Sequence, residues 1–390
     1  MIPMTPGESS DPRLFLKTML LEMKGVQRYD IGFPGATDLA FPELAEILTG
    51  QLLNNVGDPE DPGLGRNHTK PLEREVVAAV ADILHAPEER WGYVTTGSTE
   101  SVLHALHDAR RRYPDSVLYT SAAAHYSVAK GAHLVGLPLV VVPTHSSGSM
   151  DIAGFRRALA PRRGRPATVV ATAGTTMTEA VDDVPGIVAV CDDLGVVRRR
   201  IHVDAALSGV PLALLPEGER PAFDFSTGVT SMAVSGHKFL GTLMPCGVLV
   251  YAGPSGAGVL TRIPYTGSVD STITGSRSGH APLILWWVLS TLGAEGLRRR
   301  ARASRRLARY THGQIQALGW PTRINPHAFT VTLAEPPTAV LAKWVLARDG
   351  RTAHVVCMPG MCRDQIDEFV SDLKRALSVS SALSPHLRAI

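Results

Sequence analysis

The chain has 390 residues, of which 44% are hydrophobic and 19% are charged, and its formal net charge is only +3. This composition predicts a soluble globular protein with room for two domains, and so small a charge gives no reason to expect a nucleic-acid partner. The start of the chain lacks the pattern of a signal peptide, and the sequence predicts no membrane span. The four cysteines are dispersed without a Cys-x-x-Cys pair, so we expect reduced thiols, a cytoplasmic protein and no metal site.

Residues 1–60 are predicted to form an N-terminal arm rather than a domain. Apolar residues between Leu16 and Met23 share one face of a predicted helix. Pro42 is placed to open a second helix, which we expect to reach Leu53. Arms of this kind often cover a neighbouring subunit.

Residues 61–290 are predicted to form a large domain in which strands and helices alternate. Predicted strands lie at 91–95, 116–120, 137–142, 168–172, 200–204, 232–234 and 247–251, and predicted helices at 76–84, 102–106, 125–132 and 184–194. This alternation favours an α/β fold with a mostly parallel central sheet that helices cover on both faces. Ligands of such sheets bind at the carboxyl ends of the strands.

Residues 291–390 are predicted to form a smaller C-terminal α+β domain. A hydroxyl-rich loop at 265–280 precedes a helix that we expect to begin at Leu283 and to continue, with interruptions, to Leu318. Further strands are predicted at 329–333 and 354–357, further helices at 340–347 and 365–377, and a fraying tail beyond 377.

One lysine is poorly placed for solvation. Lys238 ends the sequence Ser235-Gly236-His237-Lys238, which lies between two apolar, strand-like runs. Burial of its ammonium would lower the pKa and favour the neutral amine, which attacks aldehydes. We therefore hypothesise that Lys238 forms a Schiff base with pyridoxal 5′-phosphate (PLP).

A carboxylate and a flat ring would complete such a site. Asp204 ends a predicted strand in apolar surroundings, where a buried carboxylate needs a cationic partner such as a protonated pyridine nitrogen. His125 follows another strand and could stack on the cofactor ring. The alternatives are that Asp204 caps a helix and that His125 is a surface residue at a helix start.

The turn at Gly97-Ser98-Thr99 is a candidate anion-binding site. A predicted strand runs into Gly97-Ser98-Thr99 and then into a helix, an arrangement that presents backbone N–H groups to a phosphate. Ser235 and His237 are further candidate phosphate ligands. An ordinary capped helix start is the alternative for the turn, and a hydrogen-bonded core residue is the alternative for His237.

Taken together, these motifs resemble the group II PLP-dependent decarboxylases, above all the bacterial PLP-type histidine decarboxylases and the plant serine decarboxylases. The matching segments are Asn54 to Asp58, Gly97 to Glu100, His125 to Ser127, Gly174 to Thr176, His202 to Gly209, Ser235 to Lys238, Pro245 to Gly247 and Thr272 to His280. The resemblance implies PLP fold type I, the aspartate aminotransferase-like fold.

The resemblance also implies further roles. Ala206 would pack on the ring face opposite His125, and Thr175 would lie near the phenolic oxygen of the cofactor. Members are homodimers with shared active sites, so Ser276 would reach the cofactor phosphate of the partner subunit. The chain departs from the family after Gly174 to Met177, because Thr178 and Glu179 follow where relatives more usually carry a glycine close by.

The implied reaction is decarboxylation of an L-amino acid to its amine and CO2. Histidine is the first expected substrate, followed by serine, valine or another small amino acid, and Tyr265 or His125 would protonate the α-carbon. The alternatives are a transaminase, a lyase or an O2-using decarboxylase-oxidase on the same fold, or a non-catalytic homologue. A nucleotide-binding enzyme is disfavoured because neither Gly-x-Gly-x-x-Gly nor Gly-Lys-Ser/Thr is present.

Overall fold

A computed structural model describes residues 11–254 and 262–383, with side chains described to residue 378. The first ten residues of the predicted arm and the last seven residues of the predicted tail lie outside the described residues.

The N-terminal arm begins with helix α1 (Pro12–Tyr29), which contributes no buried side chain. A 3₁₀ turn that Pro42 opens leads into helix α2 (Ala45–Gly50). The helix expected to reach Leu53 therefore ends earlier, at Gly50, whose backbone freedom disfavours a helical conformation.

A seven-stranded sheet forms the centre of the molecule. Its strands are β1 (Arg90–Thr95), β2 (Val117–Ser121), β3 (Leu139–Val142), β4 (Ala167–Thr172), β5 (Arg199–Asp204), β6 (Ser231–Ser235) and β7 (Gly247–Ala252). The order is β1-β7-β6-β5-β4-β2-β3, in which β7 runs antiparallel to both neighbours and the five strands from β6 to β3 are parallel. The predicted mostly parallel sheet is confirmed.

Helices connect and cover these strands. They are α3 (Lys70–Ile83), α4 (Ser98–Arg112), α5 (Ser127–Val135), α6 (Ile152–Leu159), α7 (Val184–Asp193) and α8 (Gly209–Ala213). Helices α6 and α8 were not expected from the sequence. In α6 the buried side chains Phe155 and Leu159 are four residues apart, which is a helical spacing.

The C-terminal part packs a small antiparallel sheet against helices. Its elements are α9 (His280–Ala317), β8 (Thr322–Ile324), β9 (Thr330–Ala334), α10 (Thr338–Leu341), β10 (Ala347–Asp349), β11 (Thr352–Val356) and α11 (Arg363–Leu383), with strand order β10-β11-β9-β8. The expected interruption of α9 is a kink at Gly293 (φ 55°, ψ −177°). The predicted combination of helices and strands in a smaller C-terminal α+β unit is confirmed.

The helix expected over 340–347 is wrong beyond its first turn. The backbone of Val345 bonds instead with the segment after α1, because Ile31 and Gly32 donate to its carbonyl (3.2 and 3.0 Å). Ala347 then pairs with His354 as a strand. Contacts with the N-terminal arm, which local sequence does not reveal, decide the conformation here.

One hydrophobic core extends through both sheets and includes Val203 of the central sheet and Phe329 beside β9. Helix α9 begins before residue 290, so it crosses the predicted domain boundary, which stays a prediction. No helix within the described ranges is long and apolar enough to cross a membrane.

Candidate active site

A cavity of about 330 Å³ lies where three neighbouring parallel strands end. Thr172 ends β4, Asp204 ends β5 and Ser235 ends β6, and all three line the cavity. The other lining residues are Gly32, Phe33, Pro34, Thr96, Gly97, Ser98, Thr99, His125, Ser127, Gly174, Thr176, Ala206, Leu207, His237, Lys238, Pro245, Ala347, His354 and Val356. A volume of this size is at the lower end of the range of small-molecule sites.

Lys238 lines the cavity from a turn between β6 and β7. The turn, Gly236–Leu240, has a π-helical hydrogen-bond pattern, but Lys238 itself departs from helical geometry (φ −88°, ψ −110°). π-Helical turns are rare in proteins, and those that occur are often found at functional sites. Loss of hydration lowers the pKa of the Lys238 ammonium, and the nearby Asp204 carboxylate opposes this shift. The neutral amine is therefore more accessible here than on a surface lysine.

Asp204 is buried at the end of the central strand. It pairs with Thr172 on one side and Ala233 on the other, and its carboxylate accepts a hydrogen bond from the backbone of Ala206 (3.2 Å). Burial raises the pKa of Asp204, whereas Lys238, this hydrogen bond and His125 lower it. A cationic N–H donor in the cavity would satisfy this carboxylate better than the groups described around it.

His125 is half-buried beside the same cavity. Its Nδ1 lies 2.8 Å from the hydroxyl of Ser127, which fixes the ring at the start of α5. Burial lowers the pKa of His125 and the charge of Lys238 lowers it further, while Asp204 acts in the opposite direction. The ring is therefore held neutral near pH 7, a form suited to stacking.

The start of α4 forms another side of the cavity. Gly97 adopts φ 155° and ψ 166°, a combination that is essentially restricted to glycine. Glu100 and Ser101 donate to the carbonyl of Gly97 (3.0 and 3.2 Å), so the N–H groups of Ser98 and Thr99 are the ones at this helix start that favour an anion. The hydroxyls of Ser98 and Ser235 lie 2.8 Å apart, so the helix start and the end of β6 meet here.

His237 is held differently. Its Nδ1 lies 3.1 Å from the carbonyl oxygen and 3.3 Å from the backbone nitrogen of Cys246, and burial lowers its pKa. The ring thus ties the Lys238 turn to the start of β7 as well as lining the cavity.

These residues fit PLP on structural grounds. The buried hydroxyl of Thr172 has no hydrogen-bond partner among the described residues, although it lies at the cavity wall. The buried Asp204 carboxylate could accept a hydrogen bond from a cationic donor. The start of α4 could bind a phosphate, and the amine of Lys238 could react with an aldehyde. Among the residues that the structure describes, no group of three or more His, Cys, Asp or Glu side chains is arranged to hold a metal ion.

Nine of the predicted site residues line this cavity together: Gly97, Ser98, Thr99, His125, Asp204, Ala206, Ser235, His237 and Lys238. Thr175 is buried beside them, but its hydroxyl accepts from the backbone of Ala180 and lies 2.9 Å from the hydroxyl of Thr178. Its neighbours Gly174 and Thr176 line the cavity instead.

Tyr265 and Ser276 lie elsewhere within this chain. Both line a second cleft of about 560 Å³, which also includes Lys70. Tyr265 is 85% exposed, and the hydroxyl of Ser276 accepts from Asn54 (3.2 Å). Neither residue lines the cavity of Lys238 in the same chain, so their predicted roles depend on a second subunit.

The loop that carries Ser276 is anchored by a buried ion pair. The guanidinium of Arg277 contacts Glu73 of α3, and both side chains are almost fully buried. Arg277 also donates to the carbonyl of Gly57 (3.0 Å), and Glu73 accepts from Asn55 (2.8 Å). The carboxylate of Glu73 therefore binds both Asn55 and Arg277, which belong to two of the segments that resemble the family.

The wall of the cavity opposite the parallel strands was not predicted from the sequence. Phe33 and its neighbours come from the N-terminal arm, and Ala347, His354 and Val356 come from the C-terminal sheet. His354 lies 2.9 Å from the carbonyl of Gly32 through Nε2, so it joins the two parts of the wall. No local motif marks these residues, because only tertiary packing brings them together.

Comparison with known proteins agrees with this geometry. The family model described as the pyridoxal-dependent decarboxylase conserved domain matches residues 67–324. The chain is 39% identical over 346 residues to a histidine decarboxylase of Mesorhizobium japonicum, covering 88% of this chain and 92% of the relative. It is 35% identical over 353 residues to serine decarboxylase 3 of Oryza sativa subsp. japonica, covering 90% and 78%.

The fold is likewise similar to that of a solved decarboxylase. The structure of L-methionine decarboxylase from Streptomyces sp. 590 superimposes with a TM-score of 0.84 at 25% identity, covering 93% of this chain and 95% of the other.

Proposed function

Because the chain belongs to the pyridoxal-dependent decarboxylase family and is a PLP-dependent amino-acid decarboxylase, we propose that its substrate is L-histidine. The observation that carries the assignment of the site is the convergence of Lys238 and Asp204 on one cavity. The 39% identity to a histidine decarboxylase supports histidine. Serine is the second candidate, which the rice relatives support, and valine or another small amino acid follows.

Each cavity residue has a proposed role in holding the cofactor. Lys238 attaches the aldehyde, and Asp204 keeps the ring nitrogen protonated through a charge-assisted hydrogen bond. His125 and Ala206 contact the two faces of the ring. The remaining ligands bind the phosphate or the phenolic oxygen: Gly97, Ser98, Thr99, Ser235 and His237 for the former, and Thr175 for the latter.

When it is bound, PLP accepts the electron pair that remains on the α-carbon after CO2 departs. The chain must hold the substrate carboxylate, keep water away and deliver a proton to that carbon. The apolar side chains of Phe33, Leu207 and Val356 line the cavity and favour loss of the carboxylate as neutral CO2. His125 is the proposed proton donor in this chain, through the minor fraction of molecules in which its ring is protonated, and Tyr265 of a second subunit is the alternative.

A homodimer with shared active sites is part of the same proposal. Helix α1 exposes a row of apolar side chains, including Leu20 (52%) and Met23 (59%), which a monomer would leave in water. The separation of Tyr265 and Ser276 from Lys238 within one chain supports their contribution to the site of a partner. We also propose a cytoplasmic location, which the free thiols support.

The attachment of the cofactor is tested at Lys238. Borohydride reduction of the PLP-loaded protein should join the cofactor permanently to the peptide that contains Lys238, as mass spectrometry would detect. Lys238→Ala should abolish this attachment and nearly all turnover, whereas Lys130→Ala, at an exposed site on α5, should change neither. Attachment that persists in Lys238→Ala would overturn the assignment.

The substrate is tested by screening the standard L-amino acids for release of CO2. Histidine should give the highest kcat/KM, with the corresponding amine formed in equal amount. If a keto acid formed without amine or CO2, the activity would be transamination rather than decarboxylation. Faster turnover of serine or another amino acid would exclude histidine as the main substrate.

A further inference from the structure

A buried carboxylate outside the cavity joins its two walls. Glu179, which follows the loop of Gly174 to Thr176, is only 2% exposed. Its Oε1 accepts a hydrogen bond from the hydroxyl of Ser208 (2.8 Å). Its Oε2 accepts from the backbone of Phe329 (3.0 Å) and of Thr330 (2.8 Å) at the start of β9. One side chain thus binds the segment after Asp204 and the C-terminal sheet at once.

Glu179 occupies this position in spite of two opposing costs. Its backbone is left-handed (φ 53°), which costs a non-glycine residue about 1 kcal/mol. Burial of the carboxylate is also unfavourable and raises its pKa, although the three hydrogen bonds lower it again. A glycine would remove both costs, so the contacts that only this side chain makes must account for its fit here.

Ser208 transmits this contact toward the cavity. Gly174 packs directly on Ser208: a Cβ atom at Gly174 would lie 2.4 Å from the Ser208 hydroxyl oxygen. Gly174 lines the cavity, as do Asp204 and Leu207 in the segment that leads to Ser208. A shift of Ser208 would therefore move two sides of the cavity together, because packed groups at this distance cannot adjust independently.

Other hydrogen bonds cross the same boundary without reaching Ser208. Asn325 donates to the carbonyls of Ser147 (2.9 Å) and Thr178 (2.8 Å). The Nδ1 of His354 lies 3.1 Å from the carbonyl oxygen of Met177. Asn325 contributes to joining the sheets but has no bond to the segment after Asp204, which makes it a suitable control.

We propose that Glu179 is a positioning residue that fixes the C-terminal wall of the cavity relative to Asp204, and thereby sets the width of the PLP site. The inference rests on the proposed binding of PLP at Lys238 and Asp204. The bonds to Ser208, Phe329 and Thr330 depend on hydrogen-bond geometry and can be made by a neutral side chain, although the charge of Glu179 also acts on the buried Arg305. The amide oxygen of a glutamine could accept from Phe329 and Thr330, while its nitrogen donates to Ser208.

The test compares Glu179→Gly with Glu179→Gln and Asn325→Ala. Glu179→Gly keeps the left-handed backbone without strain and removes the carboxylate bonds together with the buried side chain that makes them. The readouts are the dissociation constant of PLP from the apoprotein, the visible circular dichroism of bound PLP, kcat and KM with L-histidine, and the midpoint of thermal unfolding.

Glu179→Gly should weaken PLP binding about tenfold or more and diminish the dichroic band, since a misplacement of about 1 Å can cost two orders of magnitude in a catalytic site. Glu179→Gln should restore PLP affinity to within about threefold of the original chain. Asn325→Ala should lower the unfolding midpoint yet bind PLP with near-original affinity. The proposal fails if Glu179→Gly binds PLP normally, or if Asn325→Ala loses as much affinity for a similar loss of stability.

Ser208→Ala decides the matter if Glu179→Gly does not fold. It removes only the bond to Oε1, and it should weaken PLP binding about threefold or more; unchanged affinity would overturn the proposal. Failure of the proposed function is distinguishable, because it would appear in the original chain as absent CO2 release from histidine while the order of PLP affinities among the variants remained.

Discussion

The amine of Lys238 and the carboxylate of Asp204 share one cavity, and each shifts the pKa of the other back toward its ordinary value, against the effect of burial. Each charge therefore favours the ionised form of the other at this depth, as would a bound group that replaced either one. If Lys238 holds the cofactor as proposed, its amine would no longer supply a positive charge, and the protonated ring nitrogen of PLP would be the partner of Asp204.

Asp204→Asn should retain bound PLP but lose at least about a hundredfold in kcat. A neutral amide cannot hold the ring nitrogen protonated, so the electron pair left by CO2 is less stabilised, an electrostatic contribution of about 3 kcal/mol or more. The measurements are the PLP content of the purified variant and its rate of CO2 release. Turnover near that of the original chain would disprove the proposed role of Asp204.

Glu73→Gln should destabilise the protein by about 3 kcal/mol, because it leaves the guanidinium of Arg277 buried without its counter-charge. Urea unfolding of the apoprotein measures the loss. Glu335→Gln removes the partner of Arg348 in an exposed ion pair and should change stability little. Equal effects of the two changes would contradict an anchoring role for the buried pair.

His202 should make the folded state sensitive to acid. Burial lowers its pKa to about 3, and the charges of His104 and Arg200 act in the same direction. Between about pH 6.5 and 3 the unfolded chain therefore binds a proton that the folded chain does not, so the free energy of unfolding decreases as the pH falls. His202 should contribute about 1.4 kcal/mol per pH unit near pH 5, and nothing above pH 7.

Urea unfolding of the apoprotein at pH 5.5 and 4.5 measures this contribution. His202→Asn should reduce the pH dependence by about the stated slope, whereas His133→Asn, which replaces an exposed ring, should not alter it. An unchanged slope in His202→Asn would mean that this ring is already protonated in the folded protein.

Leu20→Lys on α1 should convert the proposed dimer to a monomer at micromolar concentration, because a charge would have to be buried in an apolar interface. Sedimentation velocity measures the change. Val197→Lys, at a site that is 84% exposed and outside α1, serves as the matched control and should leave the assembly intact. A monomeric original chain would remove this part of the proposal altogether.

The grouping of residues at the strand ends was predictable from sequence, because the carboxyl ends of neighbouring parallel strands lie at the same edge of a sheet. Asp204 and Ser235 are 31 positions apart, yet adjacent strands bring both to one edge of the sheet. The hydroxyl of Thr175 shows the limit of this reasoning. A motif can locate a loop without revealing which of its side chains turns toward the cavity, and here Gly174 and Thr176 line the cavity in its place.

The opposite wall could not be predicted for a different reason. Phe33 and Val356 occupy segments whose conformations depend on each other, as the backbone bond from Val356 to Ile31 (2.8 Å) illustrates. The same dependence made the chain near Val345 extended where its local pattern favoured a helix. Glu179 was noticed as a departure from the family pattern, but its partners at β9 lie about 150 residues away and left no local signal.

Strand β1 has a consequence for the order in which the protein can assemble on the ribosome. It lies at the edge of the sheet, and among the described strands it pairs with β7 alone, with Thr95 opposite Gly247. During synthesis, β1 must therefore wait for more than half of the chain to emerge before it can join the sheet. The helix start at Gly97 is fixed only when that late pairing is complete, so a nascent chain cannot capture the cofactor early.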